Sequence, residues 1–305
     1  MTSTPGSGAG RPVDLLVVGA GPAGVAAAMM AAGLRMRVTV VEADAIGSKV
    51  AAIGALENVP GGWTTGPELA AALAGDLDRH RGSGRLALVH GRATGVTAHG
   101  DRAEVTLADG RLLVGAAVVV ATGVTMLTTD DVSWVEAAEG SRTAPLWRAA
   151  PERVAGREVA VLGADRPLGT WLRAHPSTTA RFHVLHPASD GYKTEEVADD
   201  DRVRLHPVER AAIALLPGGA HRVTAFHRDG TGCRLDADVV LTNLGSRPAA
   251  PKGLAADADG YCPQEMQHPR VLVAGDLKGA RMQRIAVAIG DGARAALTPY
   301  YGSLT

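Results

Sequence analysis

The chain has 305 residues, of which 46% are hydrophobic, with 31 basic and 32 acidic side chains and a formal net charge of −1. That length suits two domains, and that hydrophobic content can bury a core. The charge balance and an aromatic content of 3% argue against phosphate neutralisation and base stacking, and no apolar run reaches the ~20 residues that span a bilayer, so neither nucleic acid nor membrane is expected as a partner.

Residues 1–12 are polar and rich in Gly and Ser, with no apolar segment of the kind that opens a signal peptide. They read as a disordered tail on a cytoplasmic protein. An apolar run from Asp14 then ends in Gly19-Ala-Gly21-Pro22-Ala23-Gly24. An Ala-rich helical run follows, and a second apolar run, Val38-Thr-Val-Val, ends at Glu42. This is the βαβ dinucleotide fingerprint. Gly19 allows the tight turn, Gly21 lets the backbone approach a pyrophosphate, and Gly24 lets the helix pack on the strand. The amides and dipole at the helix start attract phosphate. Glu42 lies eighteen residues beyond Gly24 and can accept hydrogen bonds from a ribose. A carboxylate there disfavours a 2′-phosphate, so FAD or NAD fits better than NADP.

After Glu42, glycines and prolines around Gly47-Ser-Lys49, Leu56-Glu-Asn58-Val-Pro60-Gly-Gly and Gly66-Pro predict a loop. Helical spacing predicts a helix over 68–81. Residues 85–90, 95–98, 102–107 and 111–114 predict short strands. A buried strand over 117–120 runs into Ala121-Thr122-Gly123. The chain closes with Val271-Leu-Val-Ala-Gly275-Asp276 and then Gln283-Arg284-Ile285, which opens a helical run.

This order of motifs resembles the low-molecular-weight thioredoxin reductases and their flavoprotein relatives. The resemblance covers nearly the whole chain after the tail. It implies an α/β architecture of two Rossmann-like three-layer domains. An FAD domain, 13–124 and 246–305, is split by an inserted nucleotide-type domain, 125–245. It implies FAD as cofactor, held by Gly19, Gly21, Pro22, Ala23, Gly24, Glu42, Lys49, Asn58, Ala121, Thr122, Gly123, Gly275, Asp276, Gln283, Arg284 and Ile285, and it implies a homodimer. Asp276 would accept from the ribityl or phosphate-adjacent part of FAD. The helix opening near Gln283 would aim its positive end at the flavin pyrimidine ring. Such a dipole contributes about 0.3–1 kcal/mol, and ~1.4 kcal/mol corresponds to ~30 mV for a two-electron couple. Lys49 stands where the family has glutamine. It would bring a positive charge to the flavin or to a substrate, unless it is simply a solvated loop lysine.

Two departures bear on function. The family's Cys-x-x-Cys would fall at Leu146-Trp147-Arg148-Ala149, which contains no thiol. The two cysteines, Cys233 and Cys262, lie elsewhere and form no metal or redox motif. The second fingerprint reads Gly163-Ala-Asp165-Arg166-Pro167-Leu-Gly169, with Asp165 where the middle glycine belongs. Its Cβ blocks close approach and its charge repels a pyrophosphate. At ~4 Å and an effective dielectric of ~20 the repulsion is ~4 kcal/mol, roughly a thousand-fold in affinity. Pro167 is tolerable at the first helical position but supplies no donor. The family's arginine pair is replaced by Pro187 and Ala188 after His186, with Lys193 further on. NADPH binding is therefore not expected. His186 could be a catalytic base, but its plainer reading is a strand-end histidine in a decayed cofactor site; His90 reads as structural.

The function expected is an FAD-dependent oxidase or dehydrogenase of a small organic substrate, of the kind found in specialised biosynthesis, passing electrons to O2 or another acceptor. Lys49, Trp147 and Arg148 are its candidate catalytic residues. The alternatives are a ferredoxin-type electron-transfer reductase and a non-catalytic FAD-binding scaffold.

Overall fold

A computed structural model describes residues 13–302; the tail expected at 1–12 lies outside them. The chain divides into two units. Unit 1 comprises Met1–Ala51, Glu57–Val124 and Pro248–Thr305, and unit 2 comprises Ala52–Leu56 and Thr125–Arg247. The short piece 52–56 of the Gly-rich loop thus clusters with unit 2, which the sequence pattern gave no reason to expect.

Unit 1 opens with β1 (Val13–Val18), α1 (Pro22–Gly33) and β2 (Val38–Glu42), the strand–helix–strand order of the fingerprint. A single helical turn at Ser48–Ala51 interrupts the following loop. Next comes α2 (Gly66–Arg81), two residues longer at its start than the spacing predicts. Thr65 caps it: its hydroxyl accepts from the Glu68 amide while the Glu68 side chain accepts from Thr65, so the cap sets the first turn ahead of the apolar periodicity. The strands β3 (Leu86–His90), β4 (Ala93–Ala98), β5 (Ala103–Leu107) and β6 (Leu112–Val120) follow.

The strand order is β3-β2-β1-β6-β5-β4, with Val271–Val273 also pairing with β6. Two short strands were expected at 111–114 and 117–120, but β6 is one continuous strand. Its first part pairs antiparallel with β5 and its second part parallel with β1. Gly115 takes part in both registers. A Cβ there would lie 2.9 Å from Leu16, so the small residues at 115–116 let the strand pass between partners without a break. Leu16, Val18, Val118, Val120, Val271 and Val273 form a core with Val96, Val105 and Leu107 of the antiparallel strands.

The chain passes from unit 1 to unit 2 within β7 (Val124–Met126), and unit 2 then carries β8 (Val135–Ala137), β9 (Thr143–Pro145), β10 (Glu158–Leu162) and α3 (Pro167–Ala174). Then come β11 (Arg181–Pro187), β12 (Val203–Val208), β13 (Arg210–Leu215), β14 (His221–Phe226), β15 (Gly232–Ala237) and β16 (Val239–Thr242). The chain leaves through β17 (Ser246–Pro248), which pairs with β7, and completes unit 1 with β18 (Val271–Val273) and α4 (Ile285–Gly302).

The parallel sheet of unit 2 runs β12-β11-β10-β16-β9, and a second sheet runs β15-β14-β13-β8. Alternation along the strands decides which face each residue covers. Val159, Val161, Phe182, Val184 and Leu241 pack with Leu168, Trp171 and Leu172 of α3. Ala160, Leu162, Leu185 and Val240 pack with Ile213 and Val223 of the second sheet. A helix layer, a parallel sheet and a mixed sheet, in which β8 and β13 are parallel and β13, β14 and β15 antiparallel, make up the three layers of this α/β unit.

Candidate functional site

In unit 1 the ends of β1, β2, β6 and β18 converge. Gly19 donates to the Val41 carbonyl at 2.8 Å, Ala121 to Val18 at 2.7 Å, and Ala274 to Val120 at 3.0 Å. Gly19 has φ +97°, and a Cβ on it would stand 2.5 Å from the Ala121 oxygen. Only glycine fits both the left-handed backbone and that approach. A Cβ on Gly24 would lie 1.8 Å from the Gly19 oxygen. Gly24 therefore seats the first turn of α1 on the glycine turn itself, as well as on the strand. A Cβ on Gly21 would meet nothing within 4 Å. Gly21 is the N-cap of α1, with Pro22 as the first helical residue, no side-chain cap and no acidic residue in the first turn. An open space faces helix-end amides that no side chain satisfies, which is what an anionic pyrophosphate requires.

Glu42 does more than the sequence suggests. One carboxylate oxygen accepts from the Ala20 amide at 2.5 Å and the other from Asp44 at 2.8 Å. It holds the glycine turn to the end of β2, and each oxygen retains a lone pair for a ribose hydroxyl. Thr122 lies on the strand exit at 121–123 with its hydroxyl buried and unpartnered. Such an atom costs about 1–3 kcal/mol and marks a place for a ligand's polar group. Together with the space at Gly21, it shows that the residues present fit a dinucleotide cofactor.

At the C-terminal side of unit 1, Gly275 has φ +73°, and a Cβ on it would stand 3.0 Å from Ala23. Gly292 of α4 would place its Cβ 1.9 Å from the Ala23 oxygen. These two glycines bring Asp276 and α4 against the start of α1. Gly292 was not singled out from sequence, though it stands in the Gly290-Asp-Gly292 run that would have revealed it. The expected helix at Gln283 begins at Ile285. Gln283 instead braces the preceding turn, donating to the carbonyls of Asp276 at 3.3 Å and Gly279 at 3.2 Å and to the Tyr261 hydroxyl at 3.4 Å. Arg284 is exposed and donates to the Gln283 carbonyl at 2.8 Å. Asn58 stands exposed on its loop.

Lys49 is not a plain solvated lysine. Its stem is exposed, while its ammonium end turns inward and donates to the Val124 carbonyl. Burial of that end lowers its pKa, and the Asp276 carboxylate pulls it back up. Burial raises the Asp276 pKa, and Lys49 and then Arg284 draw it down. The structure thus couples Lys49, Asp276 and Arg284, three residues separated in sequence, into one electrostatic group beside the strand exit at 121–124.

In unit 2, Leu146–Arg148 form a 3-10 turn. Leu146 is fully buried in the core, and the Ala149 carbonyl accepts from the Trp171 indole at 2.9 Å. The two positions where a redox pair would stand are structural anchors of this unit. Between them, the Arg148 guanidinium stacks 4.5 Å from the Trp147 ring, and the Trp147 indole N–H is buried without a partner. Cys262 is buried and Cys233 half-buried, both as free thiols. Burial, and then Asp257, raises the Cys262 pKa, which keeps it protonated and a poor nucleophile.

The second fingerprint departs in length as well as in residue. Helix α3 begins at Pro167, four residues beyond Gly163, whereas α1 begins three residues beyond Gly19. Gly163, at φ +96°, still approaches the Asn243 oxygen, with a Cβ distance of 2.3 Å. Against Gly169 lies the carboxylate of Glu196, which a Cβ would meet at 2.5 Å. His186 is buried at the end of β11, and Lys193 pairs with Asp190 at 3.2 Å. No group of three or more metal-ligating side chains occurs among the described residues, and no described helix is long and apolar enough to cross a membrane.

The chain has the fold of the low-molecular-weight thioredoxin reductases. It superposes on the thioredoxin reductase of Lactococcus lactis with a TM-score of 0.82 at 19% identity, covering 96% of this chain and 99% of that one. The thioredoxin reductase of T. acidophilum gives 0.76 at 20% identity, with 97% and 100% covered. The bacillithiol disulfide reductase of Bacillus cereus gives 0.70 at 18%, with 96% and 100% covered. In sequence the chain is similar to the F component of alkyl hydroperoxide reductase. It is 25% identical to the Staphylococcus aureus protein over 95% of this chain and 27% identical to that of Xanthomonas campestris over 94%. It spans only 59% and 56% of those two proteins' lengths. No family model matches it.

Proposed function

We propose that this protein is an FAD-dependent oxidoreductase that oxidises a small organic substrate and passes the electrons to O2 or another acceptor, without a redox dithiol and without NADPH. The observation that carries this reading is the combination of an open, donor-rich turn at Gly21 in unit 1 with thiol-free, structurally committed positions 146 and 149 in unit 2. The relatives named as reductases of thioredoxin, of bacillithiol disulfide and of alkyl hydroperoxide support a flavin enzyme. The loss of thiols at 146–149 argues against a disulfide as the substrate here.

Bound FAD would supply the two-electron chemistry. The first turn of α1 would hold its pyrophosphate, Glu42 its ribose, and Thr122 and Asp276 its polar groups further along. Lys49 and Arg284 offset the Asp276 charge and place positive charge beside the strand exit. Trp147 contributes a buried donor and Arg148 a stacked cation, a pair suited to orienting a substrate with an acceptor group. A homodimer in the cytoplasm completes the proposal, and light scattering at micromolar concentration tests the dimer.

The test of the reaction uses protein reconstituted with FAD and mixed anaerobically with panels of amines, alcohols, thiols and hydroxy acids. Bleaching of the flavin by an organic substrate, reversed when air or an added acceptor enters, is expected. Bleaching by a dithiol peptide, with no response to the rest, would return the protein to disulfide chemistry.

A further inference from the structure

We propose that unit 2 carries a ligand site of its own, at the C-terminal edge of its parallel sheet, that takes a small organic amine or guanidine. The site lies beyond the strand ends, beside the Gly163 turn. Strand β10 has β11 on one side and β16 on the other, and such a change of direction leaves an opening beyond the strand ends where α/β sheets bind ligands. A nucleotide crevice offers donors to phosphate. This one offers acceptors.

Asn243 is 1% exposed and follows β16 directly. Its amide nitrogen donates to the Asp165 carbonyl at 2.6 Å. A carbonyl can only accept, so that contact fixes which end of the amide is oxygen, and the oxygen is buried without a partner. His186, 3% exposed, is the last residue but one of β11 on the other side. Its Nδ1 lies 2.9 Å from the Pro187 carbonyl, which can only accept, so Nδ1 is the donor in that contact and the neutral ring would present a lone pair at Nε2. Nε2 is likewise buried and unpartnered.

Strand alternation puts both side chains on the same face. His186 is in phase with Phe182 and Val184, and Asn243 with Val239 and Leu241, all four of which pack in the core under α3. Two orphaned acceptors therefore flank the Gly163 turn on its helix side. The turn itself bears the Asp165 carboxylate, and Glu196 lies against Gly169. Arg173 holds Glu196 at 3.1 Å, and Arg166 is an exposed cation at the rim. An anion entering here meets lone pairs and a carboxylate. An ammonium or guanidinium group brings several N–H donors for such acceptors and one positive charge to pair with Asp165.

The inference does not depend on flavin binding, so a colourless protein would leave it open to the same test. The full-length protein is titrated calorimetrically with putrescine and with agmatine. Pentanol, pyrophosphate and NADP serve as comparison ligands. Saturable binding of one of the amines at millimolar concentration or below is expected, with no binding of pyrophosphate or NADP. Asp165→Asn should weaken the amine tenfold or more. The hydrogen bonds that hold Asp165 in the turn use its backbone, so the turn is expected to survive the change. Arg166→Gln, at the exposed rim, should tighten binding two- to three-fold by removing the nearby cation. Absence of saturable binding by both amines, equal affinity of the Asp165→Asn protein, or preferential binding of pyrophosphate would overturn the proposal.

Discussion

Gly21 and Gly24 are three residues apart and are glycine for opposite reasons. Space is open around Gly21, whereas a Cβ at Gly24 would strike a backbone oxygen at 1.8 Å. Gly21→Asp should therefore fold with a melting temperature close to wild type yet purify without flavin, because its side chain and charge occupy the pyrophosphate space. Gly24→Ala should fail at the level of folding, costing more than the ~1–3 kcal/mol of ordinary overpacking, read as lost soluble yield and a lowered melting temperature. If Gly21→Asp unfolds, or Gly24→Ala remains stable, the assignment of the two roles is wrong. Asp276 gives a pH-dependent expectation. Its raised folded pKa means that the folded state keeps a proton the unfolded chain has released. Its contribution to stability is complete below the unfolded value of about 3.8 and is lost as pH rises through the folded value. Lys49→Gln removes the larger of the two cations that draw the folded value down, so the loss should extend over a wider pH window. Urea midpoints of the flavin-free protein between pH 4 and 7 check this: the Lys49→Gln protein should fall further from its low-pH midpoint than wild type, and parallel curves would contradict it.

At the scale of elements, the turn Leu146–Arg148 shows how a site position can become structural. Leu146 fills the core under α3, and Trp171 of α3 donates to the Ala149 carbonyl. Trp171→Phe keeps the ring and removes the donor, leaving a buried carbonyl unpaired. It should cost about 1–3 kcal/mol in chemical denaturation. Placing cysteines at 146 and 149 should not create disulfide reductase activity, since the first thiol would lie in the core. The sequence made the βαβ unit of β1, α1 and β2 legible, because glycine spacing and two apolar runs point the same way. It also showed the start of α3 at Pro167. It did not show that β6 is continuous, since the residues 115–116 that join its halves are small and carry no strand signal. Nor did it show that Glu42 braces the glycine turn or that Glu196 lies against Gly169, because both contacts join residues about 22 or 27 positions apart.

At the scale of the molecule, two nucleotide-type folds stand in one chain, and their glycine turns are built differently. In unit 1 the helix begins three residues after Gly19 and faces open space. In unit 2 it begins four residues after Gly163, behind Asp165, with a second carboxylate near its first turn. The fold was readable from the order of motifs, whereas the extra residue in the second turn needed the structure, since Pro167 and Gly169 still look like a fingerprint in sequence. The central claim is that FAD binds but nicotinamide does not reduce it. The most direct measurement is anaerobic stopped-flow mixing of the FAD-loaded protein with NADPH and, separately, NADH, following the visible absorbance of the flavin. The expected result is an oxidised flavin that persists with both nucleotides. Rapid bleaching by NADPH would contradict it and restore unit 2 as a working nicotinamide domain.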